Sequence, residues 1–454
     1  MSLLRADALL AKNCCYCASD AEGADGAATA SRAPPSAPLR ADLVCDVAVV
    51  GGGLAGLSAA IELADRGFRV VLLEAREVGS GASGRNGGQV IAGLACDMAT
   101  IESQLGLPAA RQIWAMTQEG VRLIGERCAR FQIDCDWQAG HLSVAIGARK
   151  AAQLQAWQQR MQHAYGYDTR WVGAPELPAW IASPRYHAGV FDPLGGHLHP
   201  LKYCRGLARA ASDLGVQIHE QSAVTSIEAG AMTRLRTATG SVLSAHVLLA
   251  GNVHLDGLAP ALARRIMPVG TYIVASQALS PALARSLIPS QAAVSDTNFV
   301  LDYFRLSADH RLLFGGGVSY SRTTPPHLAQ TMHARMVRTF PQLRGTAIEF
   351  CWGGFVDISM NRAPDFGRLA DVGGPPSIRR TVNAGNIYYL QGFSGHGLAL
   401  TGLAGRLVAE AIAGTAERFD NFACIRHRPF PGGRWLRTPA LVAAMAYYRL
   451  KDLL

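Results

Sequence analysis

The chain has 454 residues, 49% of them hydrophobic and 17% charged, which is enough apolar material for a large core and, by length, two or three domains. Its net charge of +9 comes from scattered arginines with no lysine or arginine block, so a nucleic-acid-binding arm is excluded and only a weak preference for anionic ligands is left. No apolar run approaches the roughly 18 residues that span a bilayer, which excludes an integral membrane segment.

The first 42 residues are rich in Ala, Ser and Pro, with mixed charges and no apolar period, and predict a loose tail. The cluster Cys14-Cys15-Tyr16-Cys17 lies inside it. Four-ligand zinc and iron–sulfur sites use wider spacings and more partners, so no metal is assigned. The other cysteines are isolated within apolar runs, as buried free thiols are. With no recognisable secretory leader, the expected setting is the cytoplasm.

Val44 to Val50 predicts a buried strand that runs into a glycine turn, Gly51, Gly53 and Gly56. A helix over Leu54 to Arg66 follows and stops at Gly67. A second strand, Phe68 to Leu73, then delivers Glu74. In a dinucleotide-binding fold the three glycines make the turn, admit a pyrophosphate and pack helix on strand, and the acid meets a ribose. The helix N-terminus offers free N–H groups to the phosphates. Strand, turn, helix, strand and acid in this order point to an ADP-dinucleotide.

Gly79 to Gln89 reads as too glycine-rich for helix or strand. Helical spacing returns over 102–130 and 148–164. His197 and His199 follow a Gly-Gly turn at strand spacing and lack a third metal ligand. A second βα unit opens at Leu201, and its strands include Val216 to Ile218 and Val224 to Ile227. A pair turning at Gly240 ends in Val247-Leu-Leu-Ala-Gly-Asn252. Residues 268–320 alternate as in an antiparallel sheet. The stretch 371–382 reads as a surface loop. Ile387 to Gln391 then leads through Gly392-Phe-Ser-Gly-His-Gly397 into a helix ending near Ala413. The tail around Tyr447-Tyr448 reads as a docking helix.

This order predicts an α/β protein, α+β overall, with a Rossmann-like cofactor domain interleaved with a substrate domain on a mostly antiparallel sheet. The cofactor domain takes 43–100, 200–265 and 365–428. The substrate domain takes 101–199 and 266–364, and 429–454 forms a C-terminal docking segment. The loop Gly81-Ala-Ser-Gly-Arg-Asn-Gly-Gly-Gln89, with Ser83 and Asn86, favours a flavin dinucleotide over a nicotinamide one. A long flavin ring needs a second set of backbone donors, and the Gly392–Gly397 turn can supply negative-charge stabilisation at a helix start.

Those two loops, Gly51 to Glu74 and Ala250-Gly251-Asn252 resemble the D-amino-acid-oxidase/glycine-oxidase/sarcosine-oxidase superfamily of FAD-dependent oxidoreductases. Gly195-Gly-His-Leu-His-Pro200, Leu301-Asp-Tyr-Phe-Arg305 and Pro429-Phe-Pro-Gly-Gly-Arg434 are similar to its gamma-glutamylputrescine-oxidising branch, and the likeness runs from about Cys45 to the C-terminus. The resemblance implies oxidation of a C–N bond of a secondary amine in putrescine catabolism, by hydride transfer to flavin N5 and imine hydrolysis, with oxygen or a quinone as acceptor. It extends the cofactor set to Leu54, Ala55, Ala75, Arg85, Gly87, Gly88, Val224, Ala250, Gly251, Gly392, Gly395, His396, Gly397 and Leu398. Some relatives tether flavin through a cysteine. Here the matching position is Gly354, with Cys351 three residues away, so noncovalent FAD is expected. Some carry a lysine after the Gly-His-Gly step. Here it is Ala399, which argues against free amino acids as substrates and against fast direct use of oxygen.

Three residues are candidates for the chemistry. Arg305 is either a carboxylate clamp or a sheet-edge arginine, and Tyr303 shares its strand face. His396 is either beside the flavin or structural. The alternatives to the main reading are an oxidase of another N-alkyl or cyclic amino acid such as sarcosine or pipecolate, a non-catalytic flavin protein, and a nicotinamide dehydrogenase that leaves the second loop unexplained.

Overall fold

The computed structural model describes residues 15–17, 36–255, 257–319, 325–371 and 384–431. The chain opens with β1 (Asp42–Val50), α1 (Leu54–Asp65), β2 (Val70–Leu73), α2 (Ala82–Arg85), β3 (Gln89–Val90) and α3 (Met98–Phe131). It continues through β4 (Gln138–Ala145), α4 (Gly147–Tyr165), β5 (Arg170–Val172), β6 (Ala188–His197) and α5 (Pro200–Asp213). Short strands β7 (Gln217–His219), β8 (Ser226–Glu228) and β9 (Thr233–Arg236) precede β10 (Ser241–Leu249), α6 (Pro260–Ala263) and β11 (Ile266–Ser276). Then come α7 (Pro281–Leu287), β12 (Ala293–Asp296), β13 (Tyr303–Leu306), β14 (Leu312–Ser319), α8 (Leu328–Thr339) and β15 (Ile348–Ser359). The last elements are β16 (Asp365–Arg368), β17 (Ile387–Gln391), α9 (Gly397–Ile412) and α10 (Glu417–Ala423).

Two sheets result. The first has the order β16-β17-β10-β1-β2-β7, with β17 through β7 parallel and β16 antiparallel at the edge. Its central strand, β1, is apolar on both faces because helices and the β8–β9 extension cover it, the usual state of a parallel strand. Helix α1 packs on α9 closely enough that a Cβ at Gly405 would stand 2.5 Å from the Ala59 amide. Glu62 on α1 holds the helix layer together, bonded to Arg127 of α3 at 3.1 Å and Arg406 of α9 at 3.2 Å. α9 is apolar on nearly all sides because it is buried in this layer. No single helix among the described residues is long and apolar enough to cross a membrane.

The second sheet runs β15-β11-β14-β13-β12-β4-β6-β3 and is antiparallel except between β12 and β4. The fold is the α/β, interleaved two-sheet architecture that the sequence predicts. One strand crosses the expected boundary at residue 100: Gln89–Val90 joins the second sheet beside β6.

Other expectations need correction. Gly79 to Gln89 is not irregular throughout, since it contains the one-turn α2 as well as β3. Side chains close that turn where its few residues cannot: Arg85 Nε donates to the Ser80 carbonyl at 3.0 Å, and Asn86 Nδ2 donates to those of Ala82 and Ser83. Within the stretch expected to be a loose tail, Cys15, Tyr16 and Cys17 are buried against Leu201, Ile273, Leu313 and Trp352. The Tyr16 hydroxyl donates to Asp309 at 2.7 Å, and its ring meets Phe350 edge-on. Composition over 42 residues averages away a three-residue anchor. Most of the loop at 371–382 and of the docking segment at 429–454, including Tyr447 and Tyr448, lies outside the described residues.

Burying Tyr16 at this seam should be worth about 3 kcal/mol, the scale of emptying an aromatic site. Tyr16→Ala should therefore move the urea unfolding transition to lower denaturant. An unchanged transition would show that the anchor does not contribute to stability.

Candidate functional site

At the carboxyl end of β1 the chain turns through Gly51, whose φ of 115° belongs to glycine. A Cβ there would stand 2.7 Å from the Ala250 carbonyl oxygen, at the matching end of β10. A Cβ on Gly56 would overlap the Gly51 carbonyl at 2.0 Å, so this glycine lets α1 start against the turn. Glu74, ending β2, accepts from the Gly52 amide at 2.7 Å and the Arg76 amide at 2.9 Å. Burial raises its pKa. Ser83 Oγ accepts from the Leu54 amide at 2.9 Å, bringing the second loop onto the start of α1. These are strand ends of an open parallel sheet, where dinucleotides bind.

Gly87 and Gly88 carry the chain from the first sheet to the second. Leu198 N donates to the Gly88 carbonyl at 2.8 Å, and Gly88 amide donates to Asn86 Oδ1. Arg305 donates through Nε to the Gly87 carbonyl at 2.6 Å and through Nη1 to the Leu306 carbonyl. It is buried and does not line the cavity described below. That placement rules out a sheet-edge arginine, since β13 lies between β14 and β12 inside the second sheet, and it gives the guanidinium a part in holding the loop. Tyr303 does line the cavity, and its ring packs against Gly87 and Gly315 where neither could carry a Cβ.

The third wall is the turn before α9. Ser394 and Gly395 both have positive φ, 53° and 95°. The buried Asp357 side chain fixes them by accepting from the Gly392 amide at 2.5 Å and the Phe393 amide at 3.2 Å. Burial pushes the Asp357 pKa up to about 6 against those two hydrogen bonds. His396 sits at the N-cap of α9 without a side-chain cap bond, and its buried Nδ1 has no partner among the described residues. Burial, with Arg362 and His141 nearby, lowers its pKa to about 4, so the ring is neutral near pH 7.

Between these walls lies a cavity of about 530 Å³, within the range of ligand sites. It starts at Gly53, Leu54 and Ala55, and passes Ser83, Arg85, Asn86, Gly87 and Gln89. Ala250 and the run Gly395 to Leu398 complete its cofactor side. Gly51, Glu74 and Ala75 lie outside it, just past the ends of β1 and β2, while Gly56 lies in the first turn of α1 and Val224 between β7 and β8. Gly88, Gly251 and Gly392 support the wall from behind. His197 and His199 are structural: the first bonds the Gln291 carbonyl, the second accepts from the Lys202 amide to cap α5.

The far end of the cavity holds residues not anticipated from sequence: Trp114, His141, Trp157, Tyr167 and Asp192, with Phe299 and Arg362 on another wall. The Arg362 guanidinium lies 5.3 Å from the Phe299 ring centroid. Each comes from a different element, so no local spacing connects them.

A family model described as "DAO: FAD dependent oxidoreductase" matches residues 46–411. The chain is 43% identical to gamma-glutamylputrescine oxidoreductase of Escherichia coli K12, over 94% of this chain and 97% of that one. It is 39% identical to a probable oxidoreductase, OrdL, of Haemophilus influenzae, over 90% and 92% of the two chains. Its fold is similar to that of glycine oxidase from Geobacillus kaustophilus, with a TM-score of 0.66 at 21% identity, covering 82% of this chain and 95% of that one.

The glycine turn, the buried acid and the orphaned His396 nitrogen fit FAD. Glu74→Ala should weaken FAD binding by about 1.5–3 kcal/mol, one to two decades in Kd. Arg305→Met should do the same by freeing the Gly87 carbonyl. Titration of apoprotein with FAD reads both. Unchanged FAD affinity in Arg305→Met, with a raised KM only for carboxylate-bearing amines, would restore the clamp.

Proposed function

Because this chain belongs to the DAO family of FAD-dependent oxidoreductases, which act on C–N bonds of amines and amino acids, we propose that it binds FAD noncovalently and oxidises a gamma-glutamylated diamine such as gamma-glutamylputrescine. The observation that carries the reading is the near-full-length similarity to the Escherichia coli enzyme, joined to a cavity that runs from the dinucleotide turn to an aromatic and acidic end. Gamma-glutamylation turns one nitrogen of a diamine into an amide and leaves the other a primary amine. The oxidised nitrogen is therefore primary, not the secondary amine expected from the sequence.

When bound, FAD supplies the acceptor for the hydride leaving the carbon beside that nitrogen, and water then hydrolyses the imine. The protein positions the partners. The start of α9 offers backbone N–H groups and a positive dipole end, held in place by Asp357 through the Gly392 and Phe393 amides. His396 and His141, both with pKa lowered to about 4 by burial, are neutral and add no cation that would repel an incoming amine. Aromatic walls at Trp114, Trp157 and Phe299 exclude water.

Noncovalent attachment is supported by the thiols nearest the site. Gly354 lines the cavity, whereas Cys351 does not. Cys96 does, but burial pushes its pKa up to about 11, which keeps it a thiol and a poor nucleophile. Ala399 is buried and does not line the cavity, so the reading against free amino acids rests on the family position alone. Among the described residues Cys45, Cys96, Cys128, Cys135, Cys204 and Cys424 are free thiols, which supports a cytoplasmic setting.

Acid precipitation should release all the yellow colour into the supernatant, and flavin retained on the polypeptide would refute noncovalent binding. Anaerobic addition of gamma-glutamylputrescine should bleach the flavin faster than sarcosine or pipecolate does. The opposite ranking would move the assignment to an N-alkyl or cyclic amino acid. Oxygen or a quinone admitted afterwards identifies the acceptor. Because only the neutral amine donates hydride, kcat/KM should climb about tenfold per pH unit from pH 6 to 9. With His396 and His141 already neutral there, neither should add an inflection.

A further inference from the structure

The end of the cavity away from the dinucleotide turn has a charge pattern that the oxidation itself does not use. Asp192, on β6, is 7% exposed and lines the cavity. Its carboxylate accepts from the Tyr167 hydroxyl at 2.5 Å and the Leu194 amide at 2.9 Å, the donor set of an ionised acid. Burial raises its pKa, so a cation placed against it is the favourable match. Trp114 stands edge-on to the Tyr167 ring, 4.9 Å between centroids, and Trp157 lines the same cavity. Aromatic rings of this kind also attract an ammonium.

Two further polar atoms, on residues of that end, have no hydrogen-bond partner among the described residues. They are Trp114 Nε1, on a residue 4% exposed, and Thr169 Oγ1, on a residue 8% exposed. Both residues line the cavity. One is solely a donor and the other can donate. An anionic acceptor in a dry site would satisfy both, and leaving them unmet costs free energy.

We propose that this end is the subsite for an α-amino-acid head group, with its ammonium on Asp192 and its carboxylate on the Trp114 indole N–H and the Thr169 hydroxyl. The inference rests on the function proposed above and assigns residues to the amino-acid end of its substrate. The ammonium held here is the one that is not oxidised. A carboxylate beside the reacting nitrogen would favour its protonated form, which cannot donate hydride, whereas a remote ammonium suffers no such penalty.

The test uses the holoenzyme and three amines: gamma-glutamylputrescine, N-glutarylputrescine, which lacks only the α-ammonium, and N-acetylputrescine, which lacks the whole head group. Asp192→Asn should raise KM for the first by at least about 30-fold, the effect of truncating a buried charge pair, and change the other two less than about threefold. Thr169→Val should weaken the first two and spare the third. Tyr167→Phe keeps the shape of the site and should follow Asp192→Asn with a smaller effect, so that a folding defect in one variant cannot decide the matter. Equal losses on all three amines in Asp192→Asn, or no loss on the first, would overturn the subsite. Calorimetric binding of gamma-glutamylputrescine to wild type and Asp192→Asn separates the two claims. Charge-dependent binding without flavin bleaching by any amine would refute the oxidation and keep the subsite. Bleaching with charge-independent binding would do the reverse.

Discussion

The cofactor loop is suspended between two sheets, and Arg305 is what fixes its height. Its guanidinium reaches from β13 to the Gly87 carbonyl at 2.6 Å, while Gly88 exchanges contacts with Leu198 at the end of β6. No room exists there for a larger residue, since a Cβ on Gly88 would stand 2.0 Å from the Leu198 oxygen. A charged donor on a backbone carbonyl in a dry site is stronger than a neutral one. The first sheet thus carries the dinucleotide turn and the second much of the cavity wall, and Arg305 joins them together with Trp352 Nε1, which donates to the Arg85 carbonyl, and Gln89 Nε2, which donates to the Val294 carbonyl, both at 2.9 Å.

A similar arrangement holds the opposite wall. Asp357, at the end of β15 in the substrate sheet, grips the amides of Gly392 and Phe393, which lead into α9 of the cofactor domain. In both places a side chain of the second sheet positions a loop of the cofactor domain. Discontinuity in sequence is the means: because the chain passes between the sheets several times, two of the cavity's loops have backbone from one domain tied to a side chain from the other.

The parts of this that were legible in the sequence are those encoded over short spans. Gly51, Gly53, Gly56 and Glu74 could be read because turn, helix and acid fall within one βαβ unit, and Gly392 to Gly397 because glycines there open an apolar helix. Arg305 was legible as an unusual residue but its direction was not: whether a strand arginine faces substrate or a neighbouring carbonyl depends on what lies across from it. Trp114, Tyr167 and Asp192 could not be found, since α3, the segment after α4, and β6 meet only in three dimensions. Tyr16 was hidden for another reason, as a single anchor inside a stretch whose composition is otherwise that of an unstructured chain.

The pairing of β1 with β10 has a consequence for how the molecule comes into being. Val47 lies beside His246, and β10 in turn beside Tyr388 of β17, so the central strands of the first sheet are drawn from three distant parts of the chain. A ribosome releases β1 and β2 long before β10 and β17, and at roughly 5–20 residues per second that pair waits for many seconds. The dinucleotide turn at Gly51 stays without its Ala250 neighbour over that interval. The cofactor pocket is accordingly a late product of folding, formed when the last third of the chain arrives rather than as the first motif emerges.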